Sequence, residues 1–141
     1  MDDSDRRLLW HGMFLFLLGL LTGVGIPAFA NPRMGLAAHL EGVMNGIFLV
    51  VLGAVWARVG LSPRAKCVTF QTALFGTYAN WATTSLAAAF GTGAVTPLAA
   101  AGRAALPWQE ALVTAGFVAV GVAIVAAAVL VLWGLRRHAN A

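Results

Sequence analysis

Four stretches of this chain are nearly free of formal charge, and each is as long as a lipid bilayer is thick. Residues 8–32 carry none, residues 34–57 carry only Glu41, and residues 67–102 and 111–135 carry none. A helix rising about 1.5 Å per residue needs about 20 apolar residues to cross the hydrocarbon layer, and a helix satisfies its own backbone there. The Gly91-Thr92-Gly93 turn signal ends the third stretch near Phe90. The sequence therefore predicts an all-α, integral membrane four-helix bundle. It forms a single transmembrane domain with helices over residues 8–29, 36–57, 68–90 and 108–135.

Composition narrows the function classes. Only 10% of the 141 residues are charged and 60% are apolar, against about one-quarter charged in a soluble domain. An ordinary soluble globule and a disordered tail are excluded. The pI near 10.7 would raise the question of nucleic acid, but the basic residues stand at the ends of the apolar runs, as in membrane proteins. Arg6, Arg7, Arg58, Arg64, Lys66, Arg136 and Arg137 fall on one side, and only Arg33 and Arg103 on the other. That asymmetry places both termini in the cytoplasm. Ala28-Phe29-Ala30 has the form of a signal-peptidase site, but the apolar run before it is too long and Asp2, Asp3 and Asp5 precede it; the segment is expected to remain as a span. The single cysteine, Cys67, excludes an internal disulfide and is expected to pack at the cytoplasmic end.

Polar groups inside a bilayer are costly, so their positions carry the functional information. Counting from the basic boundary residues, Asn45, Glu41 and His39 on the second helix lie at about 20, 25 and 28 Å. On the third, Tyr78, Asn80, Thr83 and Thr84 lie at about 18 to 27 Å, whereas His11 on the first is at about 6 Å. Glu110 begins the fourth helix on the outer side. At about 100° per residue, Gly42, Gly46 and Gly53 run in a stripe beneath His39, while Glu41 and Asn45 share an adjoining face. The glycines suit close helix packing, and equally a flat cofactor against the backbone. The two asparagines can bond each other across helices, Glu41 and Glu110 are near enough to the boundary to be solvated, and the Tyr78 hydroxyl needs a partner. Their shared depth favours a buried reaction or binding site over any single bland reading.

The stretch Asn31-Pro-Arg-Met-Gly-Leu-Ala-Ala-His-Leu-Glu-Gly-Val-Met-Asn-Gly46 resembles bacterial hydroxylaminobenzene mutase. So do Gly76-Thr-Tyr-Ala-Asn-Trp81, Ala89-Phe-Gly-Thr-Gly93 and Pro107-Trp-Gln-Glu-Ala-Leu-Val113. The resemblance spans nearly the whole chain. More distantly, the sequence is similar to styrene oxide isomerase, which carries a His followed six residues later by Asn-Gly, here His39, Asn45 and Gly46. That family's Trp-Ala-Asn reads Tyr78-Ala79-Asn80 here.

The resemblance implies a bacterial inner-membrane, multi-pass enzyme that converts hydroxylaminobenzene to 2-aminophenol by intramolecular hydroxyl transfer. It implies haem b as a Lewis acid with His39 as its iron ligand, in a homotrimer with the haem between subunits, and the glycine stripe then offers Gly42 and Gly46 as the residues against the cofactor. Asn45, Asn80, Tyr78 and Thr84 would line the pocket, and Glu41 would shuttle a proton. A tyrosine and an aspartate of the isomerases fall on Thr84 and Gly76 here, which points away from epoxide isomerisation. An electron carrier needs two axial ligands, and His11 and His39 differ by about 22 Å in depth. A small multidrug-type transporter would have an acid in the first span, which has none. A non-enzymatic assembly subunit is the remaining alternative.

Overall fold

The computed structural model describes residues 3–138, without the side chains of Arg137 and His138. It is all-helical, about 85% helix, with no strand among the described residues. Four long helices, α1 (Asp3–Val24), α2 (Pro32–Val55), α3 (Pro63–Phe90) and α5 (Pro107–His138), are joined by short connections and one short helix, α4 (Pro97–Ala100). Proline opens α2, α3, α4 and α5, where its missing N–H has no helical partner to lose.

Helix ends are set by capping chemistry rather than by the edges of the uncharged runs. Asn31 caps α2, its side-chain oxygen accepting from the backbone N–H groups of Arg33 and Met34. Ser62 caps α3, so this helix begins five residues before the expected start and takes Arg64 and Lys66 into its first two turns. Gly91, at φ 71°, ends α3 after Phe90. The first helix stops at Val24 rather than residue 29, because Pro27 cannot donate to a continuing helix and the chain turns through a 3-10 segment, Ile26–Ala28.

Consecutive long helices run antiparallel. Gly12 faces Gly46 and Gly19 faces Gly42 between α1 and α2. Glu41 meets Asn80 between α2 and α3, and Gly76 faces Ile124 between α3 and α5. A Cβ on Gly42 would stand 2.4 Å from Gly19 Cα, so α1 and α2 touch backbone to backbone. Leu8, Leu15, Leu49, Trp56 and Phe70 form the core at the end that bears most of the basic residues. Met34, Ala87, Ala88 and Val113 form a smaller one at the other end. α5 packs on α3 and leaves Val118, Val122, Val125 and Val129 outward, each more than half exposed.

Three helices, α1, α2 with its following turn, and α5, are long and apolar enough to cross a membrane. α3 is more polar, yet the hydroxyls of Thr69, Thr72, Thr77, Thr84 and Ser85 each donate to the carbonyl four residues earlier, at 2.8 Å. Those hydroxyls are satisfied within the helix itself.

Candidate functional site

Glu41 is the centre of a polar cluster between α2 and α3. Its Oε2 accepts from Asn45 Nδ2 at 3.1 Å, one turn along α2, and from Asn80 Nδ2 at 2.5 Å across the helix interface. The two asparagines therefore do not bond each other; both are held by the carboxylate. Thr84 lies one turn beyond Asn80 on α3, buried, and donates to the Asn80 carbonyl. An amide that spends its N–H on Glu41 still presents its carbonyl oxygen as an acceptor.

His39 lies on the opposite side of α2. Its Nδ1 is 2.8 Å from the carbonyl oxygen of Gly19 on α1. A carbonyl only accepts, so Nδ1 is the donor of this bond and Nε2 is the ring nitrogen left for another partner. A Cβ on Gly23 would stand 2.7 Å from Nδ1, so the space for the imidazole exists because residue 23 has no side chain. The ring is half-buried. An imidazole whose N–H is fixed by a backbone carbonyl is the arrangement that orients a metal-ligating histidine. Among the described residues no group of three or more His, Cys, Asp or Glu side chains could hold a bare ion. The donor set fits a haem, which brings four nitrogens of its own and asks the protein for one.

Gly42 and Gly46 do not line a cofactor slot within the chain. A Cβ at either would meet the α1 backbone, at Gly19 and at Phe16 and Gly12 respectively. The stripe beneath His39 is filled by α1, and no flat group fits between.

Tyr78 is also apart from the Glu41 cluster. Its hydroxyl lies 3.1 Å from His11 Nδ1 and 3.2 Å from the His11 carbonyl oxygen, although the boundary counts put these residues about 12 Å apart in depth. Two effects close that gap. Arg7 sits over the Phe70 ring, 5.0 Å from its centroid, so the zero of α1 is level with a point four residues, about 6 Å, beyond Lys66. The tyrosine side chain also points back toward the N-terminus of its helix.

Glu110 is half-buried at the outer end and is not part of the cluster. Its Oε1 accepts from the backbone N–H of Gly93 at 2.9 Å and of Ala105 at 3.2 Å, and its Oε2 from Ala94 at 3.0 Å. It fastens the loop between α3 and α5. Cys67, expected to pack, is exposed on the first turns of α3.

Sequence reasoning missed Asn31. Fully buried, it caps α2, donates its Nδ2 to the Ala99 carbonyl at 2.9 Å and its backbone N–H to the Ala88 carbonyl at 3.0 Å. The Asn-Pro pair is the available signal: a capping side chain followed by a first-turn proline.

The chain is similar to two proteins of Ectopseudomonas oleovorans. It is 46% identical to hydroxylaminobenzene mutase HabB over 132 residues, covering 93% of this chain and 80% of HabB. It is 41% identical to hydroxylaminobenzene mutase HabA over 131 residues, covering 92% of this chain and 97% of HabA. No solved structure matches. The family model described as styrene oxide isomerase matches residues 4–136, so the chain belongs to the styrene oxide isomerase family and is an isomerase.

Proposed function

We propose that this protein is a membrane-embedded mutase that converts hydroxylaminobenzene to 2-aminophenol. The observation that carries this reading is the similarity to two hydroxylaminobenzene mutases over more than nine-tenths of the chain. The four long helices are spans of the bacterial inner membrane, with both termini on the cytoplasmic face. The polar α3 is the inner helix between α2 and α5, its hydroxyls already bonded within the helix.

In chemical terms the reaction breaks an N–O bond and forms a C–O bond at the ortho carbon. The ortho proton leaves and the nitrogen gains one, with no net electron transfer. Glu41 is suited to that proton. Two amides fix its Oε2, so Oε1 takes the proton from the ring carbon and returns it to nitrogen. The carbonyl oxygens of Asn45 and Asn80 accept hydrogen bonds from the substrate N–H and O–H and orient them. Thr84 fixes the Asn80 backbone, and Tyr78 with His11 holds α1 against α3.

His39 would hold a haem b through Nε2, with Nδ1 tied to Gly19. Bound there, the haem supplies Lewis acidity toward the hydroxylamine oxygen. His39 and Glu41 lie about 160° apart around α2 at about 100° per residue. A haem shared between subunits of a homotrimer would let the His39 of one subunit serve a neighbour's amide cluster. What supports this is the half-exposed imidazole at the α1–α2 edge.

The deciding experiment supplies hydroxylaminobenzene to membranes carrying the protein, without added reductant. The expected product is 2-aminophenol. The family model's own description favours a second reading, epoxide isomerisation. Conversion of styrene oxide to the aldehyde with no turnover of hydroxylaminobenzene would replace the mutase reading with that one.

A further inference from the structure

A second chemical cluster lies far from the amides, at the end of the molecule where α1 and α3 begin. A cleft of about 330 Å³ there is lined by Ser4, Arg7, Trp56, Pro63, Lys66 and Phe70, among others, with two cations and no carboxylate in its lining. Each cation rests on an aromatic ring. The Arg7 guanidinium is 5.0 Å from the Phe70 centroid, and Lys66 Nζ is 5.7 Å from the Trp56 ring. Both rings belong to residues that are buried, so the floor is firm and apolar while the charges stand above it.

Two helix N-termini converge on the same place. Ser4 and Arg7 are in the first two turns of α1, and Pro63 and Lys66 in the first turn of α3. The α3 terminus, with no acid in its first turn, adds partial positive charge to that of the side chains, whereas Asp3 and Asp5 offset that of α1. Directly above, the wall turns apolar. Phe14 stands two turns beyond Arg7 on the same face of α1, at about 100° per residue, and is 40% exposed. Arg7 also borders a smaller cleft with Asp3, Arg6, Trp10 and His11.

We propose that this cleft binds an anionic glycerophospholipid, its phosphodiester between Arg7 and Lys66 and its acyl chains along the apolar face that continues beyond Arg7 at Phe14. A freely soluble anion would use the charges but leave the aromatic floor and the apolar wall without a partner. A zwitterionic lipid would bring a second cation against Arg7 and Lys66. The proposal rests on the membrane reading above, but not on the chemistry of the Glu41 cluster.

The test is native mass spectrometry of the full-length protein extracted from membranes in detergent and mixed with phosphatidylglycerol or phosphatidylcholine. Phosphatidylglycerol should be retained at least about tenfold better, as expected for paired charge-assisted contacts, and the preference should fall with added salt. Replacing both cations, Arg7→Gln with Lys66→Gln, should bring the ratio close to unity. The same charge change outside the cleft, Arg64→Gln with Arg136→Gln, should leave it intact.

Equal retention of the two lipids by the unaltered protein overturns the proposal, as does a preference that survives loss of both cations. Displacement of the lipid by equimolar glycerol phosphate overturns it in favour of a soluble-anion site. If the double variant does not fold, the lipid ratio of the unaltered protein and its salt dependence decide. Protein absent from the membrane fraction would instead defeat the membrane reading, a different and separable result.

Discussion

Glu41 and His39 are two residues apart in sequence and face different helices, which divides the site's work between them. Glu41→Gln keeps the shape and an acceptor oxygen for the two amides but removes the proton acceptor. Turnover should fall by about 10² to 10⁴ with the thermal midpoint little changed; activity within a few-fold of the parent would remove Glu41 from the proton path. His39 answers to a spectroscopic readout. On the proposed haem reading, the purified protein has a Soret band and His39→Ala should abolish it. Gly23→Ala, whose Cβ would crowd Nδ1 at 2.7 Å, should weaken or shift it. An unchanged band in both variants would dismiss this imidazole as the ligand.

At this scale the sequence exposed Glu41, Asn45, Asn80 and His39 as polar groups in apolar helices. Their spacing also separated His39 from Glu41 around α2. It could not show that one carboxylate gathers both amides, because the partners come from different helices. The Tyr78–His11 contact was hidden for a related reason. Depth counted from boundary charges assumes that those charges are coplanar, and Arg7 stands level with Phe70 instead.

The connection between α3 and α5 is ordered by one side chain. Glu110 gathers three backbone N–H groups from Gly93, Ala94 and Ala105, a carboxylate satisfied by donors that the loop could not otherwise pair. Glu110→Ala should open the loop, and limited trypsin digestion at the exposed Arg103 should speed up several-fold while the long helices stay protected. A cleavage rate equal to the parent's would show that the loop holds without it. Element ends were legible where chemistry punctuates the chain, as at Gly91 with its positive φ. They were displaced where only charge was counted. Uncharged runs mark what a bilayer tolerates, whereas Ser62 and Pro63 decide where α3 begins. The glycines of α2 show the same division: their spacing announced a close-approach surface, and only the assembled structure showed that α1 occupies it.

For the whole molecule, orientation is the property that ties the charge pattern to the membrane. Cys67 is the sole cysteine and is exposed near the basic end of α3, so it reports which side that end occupies. A membrane-impermeant maleimide should label it in inside-out vesicles and leave it unlabelled in intact spheroplasts. The reverse pattern would invert the orientation, and labelling in neither would contradict the exposed placement.

The sequence by itself determined the helical, apolar character of the chain, the family to which it is similar and the short set of polar residues worth testing. The family resemblance rests on the motifs between Asn31 and Val113; the helical character and the polar set follow from composition and periodicity, which act along one helix at a time. Only the tertiary structure decided which of those residues meet: Glu41 with two amides, His39 with the Gly19 carbonyl, Tyr78 with His11, and Glu110 with a loop. Those pairings depend on the relative rise and rotation of separate helices. Close packing at Gly19 and Gly42 and the capping at Asn31 fix that offset, and no spacing within a single helix encodes it.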